Sequence, residues 1–379
     1  MKRIIPISLP SMGQEEWEAL KDPIFSGWIT QGPKVKEFEK LFAERHQVKH
    51  ALAVSNCTTA LHLALVALGI KQGDEVLVPA FTWVSTANAV MYCNATPIFV
   101  DIDPITFNID PQEIKRKITS KTKAIIPVHL FGLCANIDAI KQIAPQLKIV
   151  EDCACAAGAA FKNKPAGSLG DIGCFSFHPR KSITTGEGGM LTTNDDDLAE
   201  KLNTLRNHGA SISEEQRHKA PKPYILPEFD SVGFNYRMTD LQGAMGVVQL
   251  KKLDQFIDER SKWANYYHQE LNKIAWLRTP KYSNEYKHGW QSYVLFVDEE
   301  ISPIKRNDLM EYLQQKGIST RPGTHAVHML GFYKNTFNIA SQDYPGAYAA
   351  NEYSMSIPLH NKMEKEDYEY IIETISEIK

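Results

Sequence analysis

The sequence predicts an α/β protein, with a large domain on a mostly parallel mixed sheet sandwiched by helices and a smaller C-terminal α/β domain behind it. Three observations carry this. Apolar strand-length runs alternate with helix-length runs from Ala51 to Thr193, the pattern of strands joined by crossover helices. Residues able to do chemistry fall just past the ends of those strands, where open α/β sheets collect ligands. The 379 residues are also enough for two cores.

In chain order, a helix is expected over 14–21, ahead of Pro23, and a second over 34–46. Between them, Gly27-Trp28-Ile29-Thr30-Gln31-Gly32-Pro33 sets an aromatic residue between glycines, which reads as a turn with a buried tryptophan or as a binding segment. Strands are expected at 51–54, 75–79, 96–100, 124–127, 148–151, 173–177 and 190–193. Helices are expected between them at 58–68, 84–92, 111–118 and 137–144. A helix over 195–206 precedes a polar, proline-bearing loop over 208–228. The long periodic stretch 241–271 reads as a helix leaving the large domain, which puts the domains at 1–245 and 246–379. Beyond it the pattern gives a strand at 292–297 and helices at 306–316 and 364–378.

Bulk properties narrow the class. Hydrophobic content of 43% and charged content of 23% are those of an ordinary globular protein. A net charge of −3, with both signs interspersed, gives no footprint for nucleic acid or an anionic membrane. No apolar run approaches the roughly 18 residues that would span a bilayer. The start, Met1-Lys2-Arg3-Ile4-Ile5-Pro6-Ile7, opens like a signal peptide but breaks at Pro6 without an apolar core, so secretion is not expected. The six cysteines show no C-x-x-C spacing. Cys153 and Cys155, two apart, would share one face of a strand as a metal pair or as small buried side chains in a reducing cytosol. The latter reading, a cytoplasmic protein without a metal, is adopted.

The chemistry concentrates around Gly173–Leu191. An apolar strand breaks at His178-Pro179, presents Lys181, and continues through Thr184, Thr185 and three glycines. Pro and Gly place the lysine on a loop between two strands. A lysine held at the edge of a core can be desolvated, which lowers its pKa and makes it a nucleophile toward carbonyls, although a lone lysine of this kind reads first as a surface-loop residue. Upstream, the strand Ile149-Val150-Glu151-Asp152 ends in acid and is followed by small residues. An aspartate at one strand end and a lysine after a later strand suggest a pair around a pyridoxal phosphate ring, the lysine on its aldehyde and the acid on its ring nitrogen. Ser55-Asn56-Cys57-Thr58-Thr59-Ala60 joins a strand to a helix whose free N–H groups suit a phosphate, or is simply a capped helix start.

Together these motifs resemble the DegT/DnrJ/EryC1/StrS family, fold-type-I pyridoxal-phosphate-dependent aminotransferases acting on nucleotide-linked keto-sugars. The motifs match in the family's order over essentially the whole chain. The resemblance implies pyridoxal phosphate, alternating with its pyridoxamine form, as cofactor. It implies a phosphate cup of Cys57, Thr58, Thr59 and Ser176, Trp83 against the ring face, and Asp152 on the pyridinium nitrogen. Lys181 would form the internal aldimine and then carry a proton between cofactor and sugar. Cys155 stands where the family commonly has glutamine or histidine. Asn235, in Gly233-Phe234-Asn235-Tyr236-Arg237, is expected to cross a homodimer interface to the partner's cofactor phosphate, with Arg237 supporting it or meeting an anionic substrate. Trp28 is expected near the substrate. So are His325 and, more so, His328 of Arg321-Pro322-Gly323-Thr324-His325-Ala326-Val327-His328, where Ala326 replaces the usual proline. The run Lys181-Ser182-Ile183-Thr184-Thr185-Gly186-Glu187-Gly188-Gly189 resembles that of members aminating a 4-keto-6-deoxy sugar. Glutamate is the expected amino donor, and polysaccharide or glycan synthesis the expected setting. A 3-keto-sugar aminotransferase, a sugar dehydratase of the same fold and a non-enzymatic regulator are the alternatives. Lys181 disfavours the dehydratase, since such relatives carry histidine there, and the intact Asp152, Ser176 and Asn235 disfavour the regulator.

Overall fold

The structure, a computed structural model, describes residues 3–212, 224 and 226–378. Most of the expected loop over 208–228 therefore lies outside the described residues. The strands of the central sheet are β1 (His50–Val54), β2 (Glu75–Pro79), β4 (Thr96–Val100), β5 (Thr122–Ile125), β6 (Lys148–Asp152), β9 (Ile172–Ser176) and β10 (Gly189–Thr193). The short pieces between them are β3 (Phe81–Thr82), β7 (Ala160–Phe161) and β8 (Lys164–Pro165). The sheet order is β1-β10-β9-β6-β5-β2-β4. All neighbours from β9 to β4 pair parallel, whereas β10 runs antiparallel to both β1 and β9. That single reversal follows from the short Lys181 loop, which is too brief for a crossover helix and returns the chain as the next strand.

Helices α1 (Gln14–Ser26), α2 (Pro33–His46), α3 (Cys57–Ala67), α4 (Ser85–Tyr92), α5 (Pro111–Lys117), α6 (Ile137–Ile143), α7 (Asp196–Arg206) and α8 (Asp240–Leu271) pack around this sheet. One core contains Leu61 and Leu65 of α3, Ala87 and Val90 of α4, and Leu202 of α7. A second contains Phe38 and Phe42 of α2, Ile140 of α6, and Leu253 and Ile257 of α8. Helix α1 does not stop before Pro23 as expected. It continues to Ser26 with Pro23 buried inside it, packed along α8, so tertiary contact overrides the proline's lost hydrogen bond.

The 32 residues of α8 bridge two bodies. Its later turns, from Ala264 to Leu271, join a third core with β11 (Leu277–Arg278), β13 (Tyr293–Val297), β16 (Ser354–Ile357), α9 (Arg306–Gln315) and α12 (Lys365–Ser376). Buried α8 residues up to Ile257 belong to the second core and those from Ala264 onward to the third, which Ile5 from the N-terminal segment also joins. The remaining pieces are β12 (Tyr286–Lys287), β14 (Arg321–Pro322), β15 (His325–Ala326), α10 (Gly331–Phe337) and α11 (Pro345–Tyr353). Strand β15 leaves the small domain to pair with β3, aligning His325 with Thr82 and Ala326 with Phe81. This ribbon places a piece of the small domain at the mouth of the central sheet. No described helix is long and apolar enough to cross a membrane.

Candidate active site

The register of three adjacent strands assembles one corner of the site. Val54, Gly189 and Ser176 lie side by side across β1, β10 and β9, so the turn after β1 faces the end of β9. In that turn Asn56 caps α3, taking the Thr59 N–H on its side chain at 2.9 Å. Thr59 Oγ1 in turn reaches the Asn56 carbonyl at 2.7 Å. The first-turn N–H groups of Cys57 and Thr58 have no acceptor among the described residues, and they open at the positive end of an 11-residue helix. Ser176 Oγ stands beside them on the aligned strand, its one hydrogen-bond contact among the described residues a long 3.4 Å approach from the His178 N–H. The cup requires Gly189: a Cβ there would sit 2.5 Å from the Asn56 carbonyl carbon and 2.9 Å from the Cys57 nitrogen. An anion fits this donor set. Thr59 serves the cap itself, so Cys57, Thr58 and Ser176 are the free donors.

Asp152 ends β6, in register with Cys174 on β9. It is 4% exposed. One carboxylate oxygen takes the Ala154 N–H at 3.1 Å, the other the Thr86 hydroxyl at 2.9 Å. Burial pushes its pKa above the ordinary carboxylate range, opposed by those two donors and by Lys181. A buried acid held by only two donors keeps capacity for a third, which suits the N–H of a pyridinium. Lys181 lies on the loop between β9 and β10, part-buried, with Nζ 3.2 Å from Cys155 Sγ. The loop is fixed around it: Lys181 N–H donates to the His178 carbonyl, Thr184 Oγ1 to Phe177 O, and Gln249 of α8 accepts the Thr184 N–H.

The lysine's acidity departs from expectation. Burial does pull it down, but Cys155, Cys57 and Asp152 outweigh burial and hold it above the usual lysine range. Cys155 leads these influences and also accepts a hydrogen bond from the amine, while burial holds Cys57 well above the usual thiol range.

Around the mouth, Trp83 is 60% exposed and meets the ring of His325 edge-on, centroids 5.3 Å apart. The two expected histidines differ in exposure. His328 is fully buried in a 3-10 turn (Val327–Met329), with Nε2 3.0 Å from the Ser341 carbonyl and its ring against Tyr344. It supports the ribbon, while His325 faces the opening. Trp28 bonds Gln31 O through its indole N–H at 3.2 Å and lies over Gly32, where a Cβ would be 1.8 Å from the ring nitrogen. That loop is anchored by Asp240, which takes the N–H groups of Gly32, Lys34 and Val35 at 2.8, 3.0 and 2.9 Å. Asn235 is exposed, its backbone bridged to Asn207. Arg237 donates to Asn207 Oδ1 at 2.8 Å, and its buried Nε has no partner among the described residues.

Sequence reasoning missed the layer beneath. Glu151 accepts from His129 Nε2 at 2.7 Å and from the N–H groups of Gly167, Leu169 and Gly170. His129 Nδ1 takes the Ala135 N–H, which leaves the ring proton on Nε2. Ligand atoms of His129, Glu151 and Cys153 lie within 4.8 Å of one another, but the carboxylate is already taken up by four donors that brace the end of β6. Thr86 was legible only as part of a helix. No local spacing marked it, because Thr82 lies on β3 outside the helix and Asp152 is 66 residues away.

A family model for the DegT/DnrJ/EryC1/StrS aminotransferase family matches residues 10–376. The spore coat polysaccharide biosynthesis protein SpsC of Bacillus subtilis is 39% identical over 99% of this chain and 97% of its own length. GDP-perosamine synthase of Caulobacter vibrioides is also 39% identical, over 99% of this chain and 98% of its own. Among solved structures, the PLP form of a candidate sugar aminotransferase from Streptococcus pneumoniae, Spr1654, superposes with a TM-score of 0.91 at 30% identity, covering 99% of this chain and 98% of the other. The chain belongs to the DegT/DnrJ/EryC1/StrS aminotransferase family. It is a pyridoxal-phosphate-dependent sugar aminotransferase.

Proposed function

We propose that this family member moves an amino group from L-glutamate to a nucleotide-linked 4-keto-6-deoxy sugar for polysaccharide or glycan synthesis. The observation that carries the reading is the fixed Lys181 loop with its Ile183-Thr184-Thr185-Gly186 run, set opposite Asp152 at the open end of the sheet. The 39% identity to GDP-perosamine synthase supports the same acceptor class. Six free cysteines fit a reducing cytoplasm as its setting.

The residues have separable tasks. The N–H groups of Cys57 and Thr58, with Ser176 Oγ, would hold the cofactor phosphate. Asp152 would hold the ring-nitrogen proton, Trp83 would cover the ring face, and Lys181 would bind the aldehyde. The chemistry supplied by the bound cofactor is that of an electron sink whose aldehyde carbon carries the amino group. Lys181 Nζ would take the proton from the donor's α-carbon and later deliver one to the sugar carbon, because it is the amine held at that edge of the site. Cys155, 3.2 Å from Nζ, orients the amine weakly, as thiols are poor hydrogen-bond partners. Trp28 and His325 would flank the sugar, with Arg237 toward an anionic group.

The discriminating measurement is amino transfer from glutamate to a panel of nucleotide-linked 4-keto and 3-keto sugars. Turnover is expected on a 4-keto-6-deoxy sugar; efficient turnover of a 3-keto isomer with none on any 4-keto sugar overturns the acceptor assignment. We further propose a homodimer in which exposed Asn235 reaches the cofactor phosphate of the second copy. Mixing inactive Lys181→Ala with a disruptive Asn235 variant should then regenerate some active sites. No recovery after verified subunit exchange would mean that each site belongs to one chain.

A further inference from the structure

The hydroxyl bonded to Asp152 is placed by an unusual choice of partner. Thr86 sits in the first turn of α4, fully buried. A threonine there ordinarily turns its hydroxyl to local backbone. Thr86 instead reaches 66 residues along the chain to Asp152 Oδ2, at 2.9 Å. Its oxygen is also 3.2 Å from Thr82 Oγ1, which is 1% exposed. An ionised carboxylate only accepts, so Thr86 must donate to Asp152, and Thr82 must then donate to Thr86. The two hydroxyls form a polarised chain ending on the carboxylate, each bond strengthening the next in a water-poor site. Thr82 belongs to β3, beside Trp83 and paired with His325, so the chain starts in the ribbon at the mouth.

Resting on the pyridoxal-phosphate reading above, we propose that Thr86 is a positioning residue which, backed by Thr82, orients the Asp152 carboxylate and keeps it ionised against the ring nitrogen. The Ala154 N–H holds Oδ1 and the Thr86 hydroxyl holds Oδ2, so the plane of the carboxylate is set from both sides. Removing the hydroxyl frees that plane to rotate and withdraws one of the donors that offset the cost of burying the charge. The ring-nitrogen proton is then held less firmly, and the site loses electron-withdrawing power without losing any group that touches the substrate.

The test compares Thr86→Val, which keeps the shape, with Thr86→Ser, which keeps the hydroxyl, on purified enzyme loaded with cofactor labelled with ¹⁵N in the ring. Thr86→Val should lower kcat about tenfold to a hundredfold, the scale of one hydrogen bond to a charged group, with KM for the sugar changed less than about twofold. Its ring ¹⁵N resonance should move toward the unprotonated position, and Thr86→Ser should restore both. Thr82→Val should shift both readouts in the same direction by less. If Thr86→Val folds poorly, Thr82→Val and Thr86→Ala carry the same comparison. A wild-type resonance and kcat in Thr86→Val, or equal damage in Thr86→Ser, overturns the proposal, the latter because the methyl rather than the hydroxyl would matter. A wild-type protein that takes up no lysine-bound cofactor would instead overturn the assignment of Lys181 itself.

Discussion

Lys181→Ala is expected to abolish turnover while leaving the fold and the phosphate cup intact. The visible absorbance of lysine-bound cofactor should disappear, and the pyridoxamine form should still bind. The reason lies in how the loop is built. Phe177 O holds both Thr184 Oγ1 and the Thr185 N–H, and Gln249 holds the Thr184 N–H, so the loop's shape does not depend on the lysine side chain. On the proposed reading, what is lost is the amine that would bind the aldehyde and move the proton, a group acting directly in bond making. General acid–base transfer alone is worth about 10²–10⁴-fold, and loss of covalent binding adds to it. Near-normal activity in Lys181→Ala would remove the central assignment.

How much of this was legible in the sequence differs by level. Strands β6, β9 and β10 are apolar runs bounded by acid, proline or glycine, and their ends fall within a residue or so of expectation, because full burial on both faces leaves only one reading of such runs. Asp152 and Lys181 were visible for the same reason, as polar residues just past those ends. Four things were not. The length of α1 was hidden because Pro23 costs one hydrogen bond locally while packing along α8 is a long-range gain. The burial of His328 beside an exposed His325 was hidden because the chain changes from strand to 3-10 turn between them, which turns the second ring inward. The direction of the lysine's shift depends on Asp152, Cys155 and Cys57, which come from β6, the segment after it and α3. The bond from Thr86 to Asp152 joins a helix and a strand end 66 residues apart, which only the folded arrangement brings together. Local pattern reports which residues are held at the site; what each one is held against is a property of topology.

Asp152→Asn separates function from stability more sharply than any other substitution here. The amide has the shape of the carboxylate and can still accept the Ala154 N–H, so geometry is preserved. It carries no charge, so it cannot hold a proton on a ring nitrogen, and kcat should fall on the order of 10²–10³-fold, the scale for removing one preorganised electrostatic group from a water-poor site. Cys155→Ala should cost far less, because a thiol is a weak partner; equal damage from the two would overturn that ranking. Stability should move the other way. Burial raises the Asp152 pKa in the folded protein above its unfolded value. An acid shifted in that direction costs folding free energy once the pH exceeds its unfolded pKa, and the cost persists at neutral pH. The cofactor-free Asp152→Asn protein should therefore melt at or above the wild-type Tm at pH 7, and the difference should shrink as the pH falls toward the ordinary carboxylate range. With cofactor bound the order should invert, because the wild-type carboxylate then faces a cation and its charge is repaid by binding. A cofactor-free variant that melts well below wild type at pH 7 would mean that Asp152 is a structural acid, its two hydrogen bonds outweighing the burial of its charge.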